Sequence, residues 1–199
     1  MRSTKKTFMG GSGVIDTKRL TTLRPSFLVL SQLLDFPEES TVPLAELTEI
    51  LPAGHEKTMI LTWAEKLAQQ SLQTRQEQFT HLFELNKQIT LYCTYYRFKD
   101  GKERGVVLAK LKMLYEMFGV TLEQAELTDY LPVMLEFLAV GQWQADPRIA
   151  DLQFLFSVLE DGTYELLQHA KEYATEPYIQ LIREVRNLLK SCVKEKVRI

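Results

Sequence analysis

The sequence predicts an all-α bundle, and three observations carry that expectation. Apolar residues return at three- and four-residue spacing through most of the chain, the period that collects side chains on one face of a helix. The patterned segments are parted by breaks such as Phe36-Pro37, Pro52-Ala53-Gly54 and Glu176-Pro177. Only Ile89 to Phe98 has a strand-like composition. With no second strand candidate to pair its backbone groups, it too is read as a helix.

Residues 1–20 carry Arg2, Lys5, Lys6, Lys18 and Arg19 against Asp16 alone, around Gly10-Gly11-Ser12-Gly13, and predict a disordered basic tail. Residues 21–199 are expected to form a single all-helical domain. Its first helix is expected from Thr22 to Asp35, with Phe27, Leu30, Leu33 and Leu34 inward, stopping where the residue before Pro37 resists helical dihedrals. A short helix follows over Pro43 to Leu51. Another covers Lys57 to Ala68, its inner face made by Ile60, Leu61, Ala64 and Leu67.

Gln73 to Leu85 is polar except for a concentrated edge of Phe79, Leu82, Phe83 and Leu85. The strongest pattern lies between Lys102 and Ala139. There Val107, Leu108, Leu111, Leu114, Tyr115 and Phe118 form one stripe, ended by Gly119, and Leu131, Met134, Leu135 and Leu138 form a second. Thr128 or Asp129 can cap that second helix, and Pro132 fits its first turn. Asp146-Pro147 opens a further helix that Gly162 is expected to divide from Tyr164 to Tyr173. A last helix starts at Glu176-Pro177, with Ile179, Ile182, Val185, Leu188 and Leu189 buried.

The 199 residues are 45% hydrophobic and 25% charged, the make-up of a globular protein able to bury one core. With 24 Lys and Arg against 26 Asp and Glu, the formal net charge is −2, so no overall basic field draws the chain to nucleic acid or an anionic membrane. No apolar run approaches the ~20 residues that span a bilayer. Cys93 and Cys192 sit on separate predicted helices without a CxxC or neighbouring histidine, which suits free thiols in a reducing cytoplasm.

Catalytic motifs are sparse. His55, His81 and His169 lack metal-ligand spacing, and GxGxxG, GxxxxGK[ST] and GxSxG do not occur. Glu123, Glu126, Asp129 and Glu136 gather around the connector. Capping accounts for Asp129, whereas Glu136, set among Met134, Leu135, Phe137 and Leu138, would need a charged partner if it faced inward, and Arg104 is one candidate. No metal or other cofactor is expected. Phe79, Phe83, Tyr92, Tyr95, Tyr96, Tyr115 and Tyr130 could instead line an apolar groove for a helical guest, the competing role for each being core packing.

Four segments, in order, carry a family resemblance. Ser31-Gln32-Leu33-Leu34-Asp35-Phe36-Pro37, Gln78-Phe79-Thr80-His81-Leu82-Phe83-Glu84, Lys102-Glu103-Arg104-Gly105 and Leu127-Thr128-Asp129-Tyr130-Leu131-Pro132, the last leading into Leu135-Glu136-Phe137-Leu138, resemble the nitrate reductase assembly chaperones, the NarJ or delta subunit family. The likeness covers about Leu28 to Ala139 well and the last sixty residues weakly. Phe79 and Phe83 match the aromatic residues of the family's YxxLF segment, Arg104 the arginine of its DRG, and Asp129 the aspartate of its DHLP. Tyr130 stands where many relatives have histidine, and Tyr95-Tyr96-Arg97-Phe98 replaces a histidine-containing EHVHG, so a protonation role for those histidines does not carry over.

The resemblance implies an all-helical fold of the TorD-like type. It implies a cytoplasmic, non-enzymatic chaperone that binds the N-terminal segment of the nitrate reductase catalytic (alpha) subunit and holds the apoenzyme for molybdenum cofactor insertion, with cofactor biosynthesis proteins as further partners. The client-binding residues expected are Phe79, Phe83, Tyr95, Arg104, Tyr115, Asp129, Tyr130 and Glu136. The alternative is a helical ligand-binding or regulatory domain, against which stands the lack of a basic helix-turn-helix.

Overall fold

The apolar period is realised as helix nearly wherever it occurs. The computed structural model describes residues 14–38, 44–98, 100–122 and 126–194. Among them run α1 (Thr17–Thr22), α2 (Arg24–Leu33), α3 (Leu44–Ile50), α4 (His55–Ala68), α5 (Leu72–Phe79), α6 (Gly101–Met117), α7 (Leu131–Val140), α8 (Leu152–His169) and α9 (Pro177–Ser191). A short antiparallel pair, β1 (Val14–Ile15) with β2 (Val193–Lys194), joins the two ends of the described chain. None of the described helices is long and apolar enough to cross a membrane.

The core is organised on α2, α7 and α9. The most extensive helix pairing is α2 on α7, and α9 is covered by α4, α8 and α2. On α9, Tyr178, Ile179, Leu181, Ile182, Val185, Leu188 and Leu189 are all buried, wider than a single surface stripe because the helix is covered from three sides. Seven of the ten residues of α7 are buried, leaving Val133, Glu136 and Val140 as its outward face. Arg24 closes the far end of α7. Its Nε donates to the Ala139 carbonyl while its guanidinium lies 5.3 Å from the buried Trp143 ring, so a cation meets the negative end of the helix.

Several expectations are corrected. Of the tail, residues 1–13 lie outside the described residues, but 14–20 are a strand and a helix. Asp16 is the reason: its backbone N–H donates to the Cys192 carbonyl at 2.7 Å, and its carboxylate caps α1 through Arg19 N and meets Lys194 Nζ at 2.7 Å. The helix expected from Thr22 breaks at Leu23, because Pro25 in the first turn of α2 has no N–H to carry α1 onward. After α5 the chain widens into a π-helical turn, Thr80–Glu84, which buries Leu82 and Phe83 but leaves Leu85 72% exposed, outside the apolar edge assigned to it.

Ile89 to Phe98 is not a helix. It is a run of turns whose start pairs, strand-like, with residues just before α7: Cys93 N–H donates to Asp129 O at 2.8 Å and Leu131 N–H to Leu91 O at 2.9 Å. The partner that the segment lacked on paper is a connector with no strand signature. Cys93 is thus buried in a loop and Cys192 follows the last turn of α9. Burial pushes both thiols up, Cys192 to about 12.

Gly119 stops α6 with φ of +76°, as expected. Gly162 does not divide its helix: α8 runs unbroken through it. A Cβ at this position would lie 2.5 Å from Cys93 Cβ and 2.6 Å from Cys93 Cα, so the glycine is a place of close approach between loop and helix. Gly162→Ala should therefore destabilise the protein by roughly 1–3 kcal/mol despite alanine's better helix propensity. Chemical denaturation checks this, and an unchanged or higher midpoint would contradict the contact.

Candidate functional site

Three consecutive residues before α7 set the geometry of the site. Thr128 Oγ1 donates to the Leu108 carbonyl of α6 at 2.9 Å, and the Thr128 carbonyl accepts from Tyr115 Oη at 2.7 Å. Asp129, fully buried, accepts from the Thr94 N–H at 3.1 Å, from the Thr94 hydroxyl, and from Arg104 Nη2 at 3.1 Å. Arg104 Nε also donates to Thr94 Oγ1 at 3.0 Å. Asp129 is therefore not the cap of α7, whose N-cap is Tyr130 without a side-chain bond. Its carboxylate has a larger task, tying loop 89–98 to α6 and to the start of α7. Arg104, one candidate partner for Glu136, is committed to Asp129, and Glu136 is exposed.

Tyr130 leans the other way. Its ring is 5.3 Å from that of Tyr92, and its hydroxyl donates to Asp35 at 3.1 Å, as Tyr92 Oη donates to Glu126 at 3.0 Å. Burial first, then the facing carboxylate, pushes both phenols up, Tyr92 to about 12.

Beside Tyr130 opens a groove of about 480 Å³. Its first wall is Leu28, Ser31, Gln32 and Asp35, and its second is Val133, Glu136, Phe137 and Val140. Each set has the i, i+3, i+4, i+7 spacing of one helix face. Val120, Thr121, Leu122, Glu126 and Pro132 complete it. A trough between two helices, apolar at Leu28, Val133 and Val140 and polar at Ser31, Gln32, Asp35 and Glu136, suits a helical or extended peptide, and its volume falls within the roughly 300–1,000 Å³ of ordinary ligand clefts.

The expected site residues do not all meet here. Tyr130 and Glu136 line the groove, and Asp129 with Arg104 holds its edge. Phe79, Phe83 and Tyr115 are core residues instead: Phe79 and Phe83 pack edge-on against Tyr178 at 5.7 and 6.0 Å, and Tyr115 against Phe137 at 4.6 Å. Tyr95 is 48% exposed, set edge-on to Tyr96 and away from the groove lining. The α2 wall was missed. Its signal was present in the Leu28, Ser31, Gln32, Asp35 spacing, hidden by counting only the inward residues of that helix. Among the described residues no three His, Cys, Asp or Glu side chains converge as a metal site.

Comparison with known proteins bears on this geometry. The sequence model of the nitrate reductase delta subunit family matches residues 37–177. A Bacillus subtilis protein named "Probable nitrate reductase molybdenum cofactor assembly chaperone NarJ" is 32% identical over 164 residues, which cover 76% of this chain and 88% of that protein. The Escherichia coli nitrate reductase molybdenum cofactor assembly chaperone NarJ is 29% identical over 100 residues, 50% of this chain and 41% of that one. In structure, the chain is similar to the crystal structure of a proposed redox enzyme maturation protein from Archaeoglobus fulgidus. The TM-score is 0.57 with 21% identity, covering 84% of this chain and 94% of the other, a likeness of fold.

Removing the Asp129 carboxylate should be costly, since it leaves Arg104 and Thr94 without their shared acceptor. Asp129→Ala is expected to lose about 2–4 kcal/mol, below the full range for a wholly buried pair because Arg104 stays 24% exposed. Asp129→Asn, which keeps one acceptor, should lose less. Urea unfolding of both variants checks the ranking, and equal midpoints for Asp129→Ala and the parent chain would contradict the assignment.

Proposed function

Because the chain belongs to the nitrate reductase delta subunit family, we propose that it is a maturation chaperone for a nitrate reductase. In this reading it binds the N-terminal segment of the catalytic subunit and holds the apoenzyme in a state open to molybdenum cofactor insertion. The chain itself turns nothing over and carries no resident cofactor. It works in the cytoplasm, where apoenzyme and cofactor biosynthesis proteins meet.

The observation that supports this most is the α2/α7 groove. Leu28 on one wall and Val133 and Val140 on the other offer a guest helix apolar contacts, and Ser31, Gln32, Asp35 and Glu136 offer its polar groups partners. Tyr130 suits the role of anchor, since it is half-buried, rigid, and held by Asp35 at its polar tip. A bound segment would keep the client's N-terminus off its own domain until the cofactor is seated. Asp129 and Arg104 act through Tyr130, by holding the backbone from which it projects.

A peptide copying the first ~15 residues of the cognate catalytic subunit, a length suited to groove binding, should bind the purified chain in calorimetry. Tyr130→Ala should weaken it by roughly tenfold or more, as expected for loss of a central aromatic anchor. Phe83→Leu should change stability rather than peptide affinity, since Phe83 is packed in the core. Absence of binding from pH 5 to pH 8 would sink the proposal.

A further inference from the structure

The outer face of α6 is apolar at its centre and uncovered. Lys102, Gly105, Val106, Ala109, Met113 and Glu116 fall at the spacing that gathers them on one side of this helix, and all six are exposed. Met113 at 68% and Val106 at 54% are the most exposed large apolar side chains in any described helix. Among the described elements α6 pairs extensively with no other helix. Val107, Leu111, Leu114 and Tyr115 bury its inner side, and the opposite side is left to solvent. None of the six lines the α2/α7 groove.

Two features of this face serve no purpose among the described residues. Gly105 weakens the helix relative to alanine, yet a Cβ there would meet nothing within 4 Å, so no described neighbour requires a glycine. Close approach from outside would require one. The face is also self-complementary in charge. Lys102 and Glu116 lie seven residues to either side of Ala109. An antiparallel copy of α6 centred on Ala109 therefore brings Lys102 opposite the second copy's Glu116, and Val106 against its Met113, each pair repeated by the two-fold axis. A parallel copy would set like charges together. Glu116 also has Lys112 at 3.9 Å, a pair so exposed that it holds Glu116 weakly.

We propose that the outer face of α6 is a self-association surface, on which a second copy of this chain docks by an antiparallel, two-fold pairing of the two α6 helices. With 17 residues rising ~1.5 Å each, α6 is about 25 Å long. One helix pair of that length buries less than the ~800 Å² per partner of a standard stable interface, so the dimer is weak and reversible. A formal net charge of −2 puts little repulsion between the copies.

Sedimentation velocity on the full chain, from about 5 μM to about 500 μM, should show monomer and dimer in exchange, with a dissociation constant on the order of tens of micromolar. Met113→Glu should weaken the dimer roughly tenfold or more. Gly105→Leu should do the same while holding or raising the thermal midpoint, because leucine is the better helix former. Lys102→Glu and Glu116→Lys should each weaken self-association about threefold to tenfold, and an equimolar mixture of the two should recover it, since opposite charges then meet at both ends. All four positions are exposed, so each variant should keep the parent's far-UV circular dichroism.

A chain that stays monomeric across that range, a dimer indifferent to Met113→Glu, or a mixture that fails to recover association each overturns the inference. So does a monomer whose Met113→Glu variant loses capture of the apoenzyme, which would assign the face to the client instead of a second copy.

Discussion

A carboxylate taken wholly out of water must be satisfied on every side, and Asp129 is the group on which that demand falls most heavily. Its acceptors are filled by a backbone N–H, a hydroxyl and a guanidinium drawn from two other parts of the chain. The consequence is geometric. Loop 89–98 has no regular structure to hold it, so its place is decided by two backbone pairings with residues 129–131 and by this cluster. Through the same connector, Thr128 is tied to α6 and Tyr130 is turned toward α2. The groove inherits its edge from that arrangement, because Tyr130 can project from a backbone that cannot shift.

Gly162 extends the same constraint to the far side of the loop. The backbone of Cys93 sits against α8 at a distance that no side chain would allow, so the loop is held between α7 and α8. The dipeptide Cys93-Thr94 thus looks two ways, with Cys93 packed on α8 and Thr94 bonded to Asp129. A segment of turns between helices becomes as firmly placed as the helices themselves.

Most helices were legible in the sequence because their apolar stripes are regular. The stripes of α6 and α9 are occupied almost residue for residue. Three features escaped. Ile89 to Phe98 failed because strand pairing needs a partner, and its partner, the Thr128–Leu131 connector, is written in capping residues. Gly162 failed because glycine marks either a break or a close approach, and only the position of Cys93 tells them apart. Asp16 failed because its cap and its contact with Cys192 join positions at opposite ends of the chain. Of the candidate site, Tyr130, singled out by its family motif, and Glu136, singled out as a carboxylate among apolar residues, lie on the groove, whereas Phe79, Phe83 and Tyr115 are core residues whose aromatic character alone could not say which way they face.

The two walls of the groove belong to the pair of helices most extensively packed on each other. Side chains that interlock at interior density resist sliding, so the width of the trough is set by the same contacts that hold the molecule together. If the groove takes a client segment, as proposed, a receptor so built has little freedom to mould itself to its guest. The ordering would then fall to the incoming segment, which would give up its own conformational entropy on arrival, so gross contact would be tempered into modest net affinity. For a helper that must let go once its partner is complete, a stiff cradle and a floppy guest make release as natural as capture.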